Sequence, residues 1–243
     1  VIIERFVMPI IFVPGIMGSR LKIVGGAKVW DPDDTWFMVK SFGLKNVSAE
    51  ERKLRIIGKE FSADYLEVAN NDEIHNLLLD KKEQNDKHRV KRKWGGVAWM
   101  SYGPFLTELQ NRKWDNTVNL FFEFPVYCFG YNWTSSNKLA GEKLAAYIDE
   151  VIKTYTDKSR KCEKVILVTH SMGGLVARSA CMLSGAKDKV LGVIHGVQPA
   201  NGSPTAYWRM KGGFERPHTI PEINFFHWLS NPSKAFRHMK GKV

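Results

Sequence analysis

The chain has 243 residues, of which 44% are hydrophobic and 25% charged, a balance that is typical of one globular domain and excludes a disordered chain. The formal charge of +11 favours anionic partners such as a membrane surface, nucleic acid or an acidic protein. Much of this charge lies in residues 81–93, which read as a solvated loop or insert without interleaved aromatic residues, so nucleic acid is not expected as a partner.

The first predicted element is a strand over residues 6–13 (FVMPIIFV), a short apolar run rich in β-branched side chains. Residues 14–19 (PGIMGS) follow, and their two glycines permit a tight turn directly after the strand. Residues 25–115 show no clean periodicity, and we predict that they form a long insert after the first strand.

Strands and helices then alternate along the chain. In order they are a strand at 126–129, a helix that begins at Ser136 or Asn137, a strand at 164–169, a helix at 175–183 and a strand at 190–195. The apolar stripe of the first helix consists of Leu139, Leu144, Ile148, Val151, Ile152 and Tyr155. Such alternation predicts an α/β fold with a mostly parallel central sheet and helices on both faces.

Residues 169–173 (THSMG) follow the pattern Gly-x-Ser-x-Gly, except that Thr169 replaces the first glycine. In α/β-hydrolases this pattern forms a sharp strand-to-helix turn that exposes a nucleophilic serine. The pentapeptide lies between a predicted buried strand and a predicted helix, which is the context that the pattern requires. We therefore predict the α/β-hydrolase fold with Ser171 as the nucleophile; the alternative is a serine that only caps the helix.

A serine nucleophile also needs two N–H donors for the oxyanion. The residue after the nucleophile, Met172, supplies one at a helix N-terminus. The loop after an early strand supplies the other, and Ile16 is the predicted donor within residues 14–18. The alternative for this loop is a simple structural turn.

The acid and then the histidine follow the serine along the chain in this fold. The acidic residues and histidines after Ser171 are Asp188, His195, Glu215, His218, Glu222, His227 and His238. Asp188 precedes the predicted strand at 190–195, whereas Glu215 follows it and is the preferred acid. No histidine is singled out, and one alternative is that the base lies in further strands beyond residue 243.

Three segments carry a family resemblance: VPGIMGS at 13–19, GYNW at 130–133 and VTHSMGGLVAR at 168–178. They resemble the lecithin:cholesterol acyltransferase-like and GPI inositol-deacylase-like lipases. Residues 130–152 and 198–215 are more closely similar to bacterial type VI secretion phospholipase effectors of that group. The resemblance implies lipase or phospholipase chemistry, a lid over the site and an immunity protein as partner.

We therefore expect one domain over 1–243, with an insert at 25–115 and a lid segment at 214–243. The expected activity is hydrolysis of lipid carboxylic esters through an acyl-enzyme on Ser171. Alternatives are a soluble esterase or thioesterase on the same fold, or an inactive hydrolase fold used as a binding module.

Phosphate-loop, dinucleotide and zinc-helix motifs are absent from the sequence, so neither a cofactor nor a metal is expected. The N-terminal residues do not follow the signal-peptide pattern, so synthesis in the cytoplasm is expected. The resemblance implies a toxin that a signal-independent secretion machinery exports to act on target-cell membranes, with membrane lipid as substrate.

Overall fold

A computed structural model of the chain describes residues 5–43, 51, 54, 56, 65–70, 91–155 and 160–207. Its contacts divide the chain into two units, Val1–Ala200 and Asn201–Val243. Only residues 201–207 of the second unit are described. The predicted lid segment, 214–243, lies outside the described residues, and the predicted single domain stays a prediction.

The described elements are, in chain order, β1 (Arg5–Val7), β2 (Ile10–Val13), β3 (Leu21–Ile23), β4 (Lys28–Trp30), α1 (Thr35–Met38), β5 (Leu66–Val68), α2 (Trp99–Gln110), α3 (Asn116–Phe121), β6 (Phe122–Glu123), β7 (Val126–Cys128), α4 (Asn137–Lys153), β8 (Arg160–Lys161), β9 (Val165–His170), α5 (Gly173–Leu183) and β10 (Val190–Gly196).

The first predicted strand is divided by Pro9 into β1 and β2. Proline has no N–H to donate, so the ladder is interrupted there. The flanking N–H groups of Met8 and Ile10 instead donate to the carbonyls of Glu123 (2.8 Å) and Pro125 (2.9 Å). The break therefore leaves the chain tied to the neighbouring strand on both sides of the proline.

The central sheet contains four parallel strands in the order β7–β2–β9–β10. A smaller parallel group, β6–β1–β8, contains the strands that precede β7, β2 and β9 in the chain. Because β2, β9 and β7 run in the same direction, their carboxyl ends meet at one edge of the sheet. The parallel sheet that the alternation predicted is confirmed.

Helices α4 and α5 cover one face of this sheet. Ser136 begins α4, where its Oγ accepts the Lys138 N–H at 3.1 Å, as one of the two predicted caps. Leu144, Ile148 and Val151 of the predicted stripe are buried. The residues of this core come from β2, β7, β9 and both helices, and include Ile11, Val13, Tyr127, Leu144, Tyr147, Ile148, Val165, Leu167 and Val176.

Helix α2 packs on the opposite face of the sheet. Period-2 alternation along the strands sends every second side chain to this side. The core there includes Ile10, Phe12, Trp94, Val97, Leu106, Val126 and Cys128. The sheet therefore carries helices on both faces, as predicted.

The predicted insert contributes β4 and β5 to a separate antiparallel sheet, whose central strand β3 lies just before the insert; the order is β4–β3–β5. Its small core contains Leu21, Val29, Trp30 and Leu66, and Trp30 lies edge-on to Trp133 with ring centroids 5.4 Å apart.

None of the helices among the described residues has the length and hydrophobicity that a membrane span requires.

Candidate active site

Ser171 occupies the turn between β9 and α5. Its φ of 51° lies in the left-handed region, which is uncommon for a residue other than glycine and marks local strain. The strained turn is held by the N–H of Ser171, which donates to the carbonyl of Gly196 on β10 at 2.8 Å. This geometry, a serine at positive φ between a strand and a helix, is that of a nucleophile elbow.

The two glycines after Met172 allow backbone and side chains to approach this turn closely. A Cβ on Gly173 would lie against the carbonyl oxygens of Val13 and Pro14, the latter at 2.5 Å. A Cβ on Gly174 would lie 2.7 Å from Cγ of Gln198. Small residues are therefore required after the serine, because α5 begins in contact with the end of β2.

Thr169 stands where the pattern has its first glycine. Its side chain is buried, and its Oγ1 forms a hydrogen bond of 2.8 Å with Nδ1 of His195. The threonine is accommodated because its hydroxyl turns towards β10, where His195 lies opposite it in register. His195 therefore has one ring nitrogen engaged with Thr169.

The loop after β2 lies directly against the serine turn. A Cβ on Gly15 would be only 3.0 Å from Cβ of Ser171 and 2.9 Å from Nδ1 of His170. The loop closes on itself through the Gly18 N–H, which donates to the carbonyl of Gly15 at 3.1 Å. Met17, inside this turn, has a φ of 63°.

Two aromatic residues of the GYNW segment hold this loop. The Tyr131 hydroxyl donates to the carbonyl of Pro14 at 3.0 Å, and its backbone N–H donates to Oγ of Ser19, also at 3.0 Å. The indole N–H of Trp133 donates to the carbonyl of Ser19 at 3.1 Å. Two of the three motifs that carry the resemblance, VPGIMGS and GYNW, are thus in direct contact.

Two further ties come from residues that the sequence analysis did not identify. The indole N–H of Trp30 donates to the carbonyl of Met17 at 2.9 Å. The Tyr102 hydroxyl on α2 accepts the Gly15 N–H at 3.2 Å and lies 3.0 Å from Nδ1 of His170. Because these partners are separated by 13 to 87 positions, no local sequence pattern could reveal them.

Of the two predicted oxyanion donors, Met172 follows Ser171 in the chain and Ile16 follows Gly15, whose backbone lies against Ser171. Within the described part of the chain, neither the Ile16 N–H nor the Met172 N–H forms a hydrogen bond. Met172 is the N-cap of α5, so its N–H lies at the positive end of the helix dipole. Both N–H groups are therefore available to a negatively charged oxygen.

Burial shifts the pKa of the polar side chains around the loop. Partial burial lowers the pKa of the His170 imidazole, and burial raises the pKa of the Tyr102 hydroxyl despite the Gly15 N–H that it accepts. Asp33, whose pKa is raised by burial, accepts the N–H groups of Trp99 at 2.7 Å and Met100 at 2.8 Å. Asp33 thereby fixes the start of α2, the helix that carries Tyr102.

The structure brings Ser171, Met172 and the Ile16 loop together at the carboxyl ends of β9 and β2. Asp188 lies in a short helical turn, Lys187–Lys189, that precedes β10 at the opposite end of the strand from Ser171. The described residues contain no group of three or more His, Cys, Asp or Glu side chains that could hold a metal ion. The predicted acid and the remaining candidate acid and histidines lie outside the described residues; they are Glu215, His218, Glu222, His227 and His238.

Comparison with known proteins identifies the family. A family model described as a PGAP1-like alpha/beta domain matches residues 7–214, and the chain belongs to this family. No curated protein matches the chain significantly by sequence.

One similar solved structure is a chain from the crystal structure of a Tle4–Tli4 complex, with 28% sequence identity and a TM-score of 0.63. The match covers 86% of this chain and 49% of that chain, so this chain spans about half the length of its structural relative. These findings confirm the predicted α/β-hydrolase fold and the lipase group that the motifs resemble.

Proposed function

We propose that this member of the PGAP1-like family is a serine hydrolase that cleaves lipid carboxylic esters through an acyl-enzyme on Ser171. The observation that carries the proposal is the placement of Ser171. It lies at positive φ on a strand-to-helix turn, with a glycine loop against its side chain. Two unengaged N–H groups flank it, which is the arrangement needed to stabilise a tetrahedral oxyanion.

The reaction proceeds by two acyl transfers. A histidine imidazole removes the proton from Ser171 Oγ, which attacks the ester carbonyl carbon. The N–H groups of Ile16 and Met172 hold the oxyanion, and the alcohol leaves with the proton from the imidazolium. Water, deprotonated by the same imidazole, then releases the fatty acid and restores the serine.

Glu215 is the proposed acid that orients this histidine. It follows β10 along the chain, as the order of residues in this fold requires. The proposed histidine follows Glu215, as the chain order of this fold requires, and the candidates in this sequence are His218, His227 and His238. His195 precedes Glu215 and does not fit that order.

Lipid is the proposed substrate for two reasons. The first is the lipase group to which the chain belongs. The second is physical: the formal charge of +11 favours an anionic membrane surface. Large apolar side chains are exposed as well, among them Ile16 in the loop after β2 and Trp36 on α1.

We further propose that the protein is a toxin effector of a type VI secretion system and that an immunity protein binds it in the producing cell. The similar chain was solved in a two-protein complex, Tle4–Tli4. Synthesis in the cytoplasm and signal-independent export to a target-cell membrane are part of this proposal.

The first test is labelling with a fluorophosphonate probe. Wild type is compared with Ser171→Ala, and Ser184→Ala serves as the matched control because it lies beyond the other end of α5, about 16 Å along the helix axis. We expect wild type and Ser184→Ala to be labelled and Ser171→Ala to remain unlabelled, with the adduct on Ser171 by mass spectrometry. Labelling that persists in Ser171→Ala contradicts the proposed nucleophile.

The second test separates a lipase from a soluble esterase. Hydrolysis of a phospholipid and of a short-chain soluble ester is measured below and above the concentration at which the lipid aggregates. A rate that rises on aggregation supports the lipid substrate. A rate that is indifferent to aggregation supports the soluble esterase instead, and a serine that is inert to the fluorophosphonate supports a binding module.

A further inference from the structure

Tyr102 connects the loop after β2 with the end of β9, two segments of the candidate site whose relative position must be maintained. Its hydroxyl contacts the Gly15 N–H at 3.2 Å and Nδ1 of His170, the residue before Ser171, at 3.0 Å. Its ring packs on Phe12 of β2, with centroids 4.8 Å apart, and lies edge-on to the His170 ring at 5.7 Å. One side chain of α2 therefore joins the loop after β2 to the end of β9.

Chemistry fixes the direction of the hydrogen bond to Gly15, and the tautomer of His170 sets the direction of the other. A backbone N–H only donates, so the hydroxyl accepts from Gly15. The single hydroxyl proton is then free to be donated to Nδ1 of His170, which accepts it when the imidazole is neutral and carries its own proton on Nε2. Tyr102 thus acts as an acceptor towards the loop and as a donor towards the serine turn.

Gly15 needs such a hydrogen bond because glycine has little intrinsic preference among backbone dihedral angles. Glycine is required here, since a Cβ would meet Cβ of Ser171 and Nδ1 of His170 at 3.0 Å or less. The same residue type has the widest choice of backbone dihedrals, so neither peptide plane beside it is fixed locally. External hydrogen bonds must fix them.

The peptide group before Gly15 is held at both ends. Its carbonyl, on Pro14, accepts from the Tyr131 hydroxyl, and its N–H, on Gly15, donates to Tyr102. The next peptide group has its carbonyl, on Gly15, bound to the Gly18 N–H. Because a trans peptide is planar, its N–H points opposite to that carbonyl, and this N–H belongs to Ile16.

We propose that Tyr102 is a positioning residue that aims the Ile16 N–H at the oxyanion and keeps its loop in register with Ser171. The inference rests on the proposed function. It assigns Tyr102 a role in the chemical step that acts through Gly15 and His170, without contact to substrate.

The direct test is Tyr102→Phe, which keeps the ring against Phe12 and removes only the hydroxyl. Losing an oxyanion donor outright costs about 100- to 1,000-fold in rate, and a donor that remains but is poorly aimed costs less, so we expect kcat to fall about tenfold. Tyr102 acts without contact to substrate, so KM for a soluble ester should change less than about twofold. The melting temperature should fall by only about 2–4 °C.

Tyr155→Phe is the matched control. It removes a tyrosine hydroxyl that is hydrogen-bonded to another tyrosine, Tyr127, at 2.6 Å. Among the described residues, the side-chain hydrogen bond and ring contacts of Tyr155 are with Tyr127 and Arg160 and not with Gly15 or His170. We expect its labelling rate by a fluorophosphonate to equal that of wild type. An equal slowing in Tyr155→Phe and Tyr102→Phe overturns the proposal, because general destabilisation then accounts for both.

His170 provides the rescue experiment. His170→Ala removes the acceptor of the Tyr102 proton, whereas His170→Asn places an amide oxygen close to the position of Nδ1. We expect His170→Ala to label more slowly than wild type and His170→Asn to regain most of the rate. Equal rates for the alanine and asparagine variants overturn the proposed hydrogen bond.

The outcomes separate this role from the proposed function. A wild type that does not react with the fluorophosphonate overturns the serine hydrolase, and the role of Tyr102 with it. A wild type that reacts at Ser171, together with a Tyr102→Phe variant that reacts equally fast, overturns the positioning role alone.

Discussion

Gly15→Ala is the substitution that most directly tests the contact between the loop after β2 and the serine turn. Its added methyl group would lie 3.0 Å from Cβ of Ser171 and 2.9 Å from Nδ1 of His170. Carbon atoms in contact normally lie about 3.5–4.0 Å apart, so the loop and the turn must separate by about 0.5–1 Å. The backbone of residue 15 is not at positive φ, and the strain is therefore one of contact rather than of dihedral angle.

Gly15→Ala should lower both the stability of the protein and the rate of the reaction, for separate reasons. Inserting one methyl group into a tightly packed place costs about 1–3 kcal/mol of stability, or about 2–12 °C in melting temperature for a domain of this size. A displacement of about 1 Å of a catalytic group costs about 100-fold in rate. We therefore expect kcat/KM of the folded Gly15→Ala protein to fall about 100-fold while the protein still folds.

Two quantities are measured for each variant: the rate at which it hydrolyses a soluble ester and its melting temperature. Gly192→Ala on β10 is the control, since a Cβ there meets no atom within 4 Å. Its rate and stability should stay close to those of wild type. If Gly15→Ala retains a third or more of the wild-type kcat/KM, the loop is not the second half of the oxyanion site.

Three further predictions concern other parts of the molecule. Ser136→Ala removes the cap of α4 from the Lys138 N–H and should lower the free energy of unfolding by about 1 kcal/mol in a urea titration, whereas Ser136→Asp should not. Trp36→Ala removes a side chain that is 77% exposed. Because the proposed substrate is a membrane lipid, this variant should bind anionic vesicles about tenfold more weakly and keep the soluble-ester kinetics of wild type. The pKa of His170 is lowered in the folded state, so the unfolded chain binds more protons below about pH 6.5 and this group reduces stability as the pH falls. The melting temperature of His170→Asn should therefore fall less between about pH 7 and pH 5 than that of wild type; parallel curves contradict this.

The sequence predicted the parallel sheet because its strands are short apolar runs separated by clear turn and helix signals. Residues 164–169 and 190–195 were each assigned within one residue of β9 and β10. Pro9 was seen inside the first strand, yet the resulting break into β1 and β2 was not predicted. Local patterns thus give the elements, because backbone propensity and burial act over neighbouring residues.

The turn at Ser171 could also be predicted, because the glycines that its close packing requires lie within five residues of the serine and form a recognisable sequence pattern. The aromatic residues that support the loop could not be predicted in the same way. Trp30 and Tyr102 contribute one polar atom each to a carbonyl or an N–H far away in sequence. A single indole or phenol in a segment without periodicity carries no sign of such a role.

The glycines of the site and the aromatic residues that hold its loop are needed for related physical reasons. Glycines at 15, 173 and 174 are required because the loop, the serine turn and β10 approach so closely that a Cβ would collide. Each glycine that permits this approach also loosens the backbone that must aim an N–H at the oxyanion. Rigidity must therefore come from outside the loop, and large aromatic side chains supply it because they bury well and carry one directional polar atom.

This reasoning gives the segment predicted as an insert a role in the site. Trp30 lies on β4 and Tyr102 on α2, and both belong to residues 25–115. Asp33, from the same segment, fixes the start of α2 through the N–H groups of Trp99 and Met100. The segment therefore does more than extend the first strand connection: it supplies two of the side chains that hold the loop carrying Ile16, while Tyr131 supplies a third from the segment after β7.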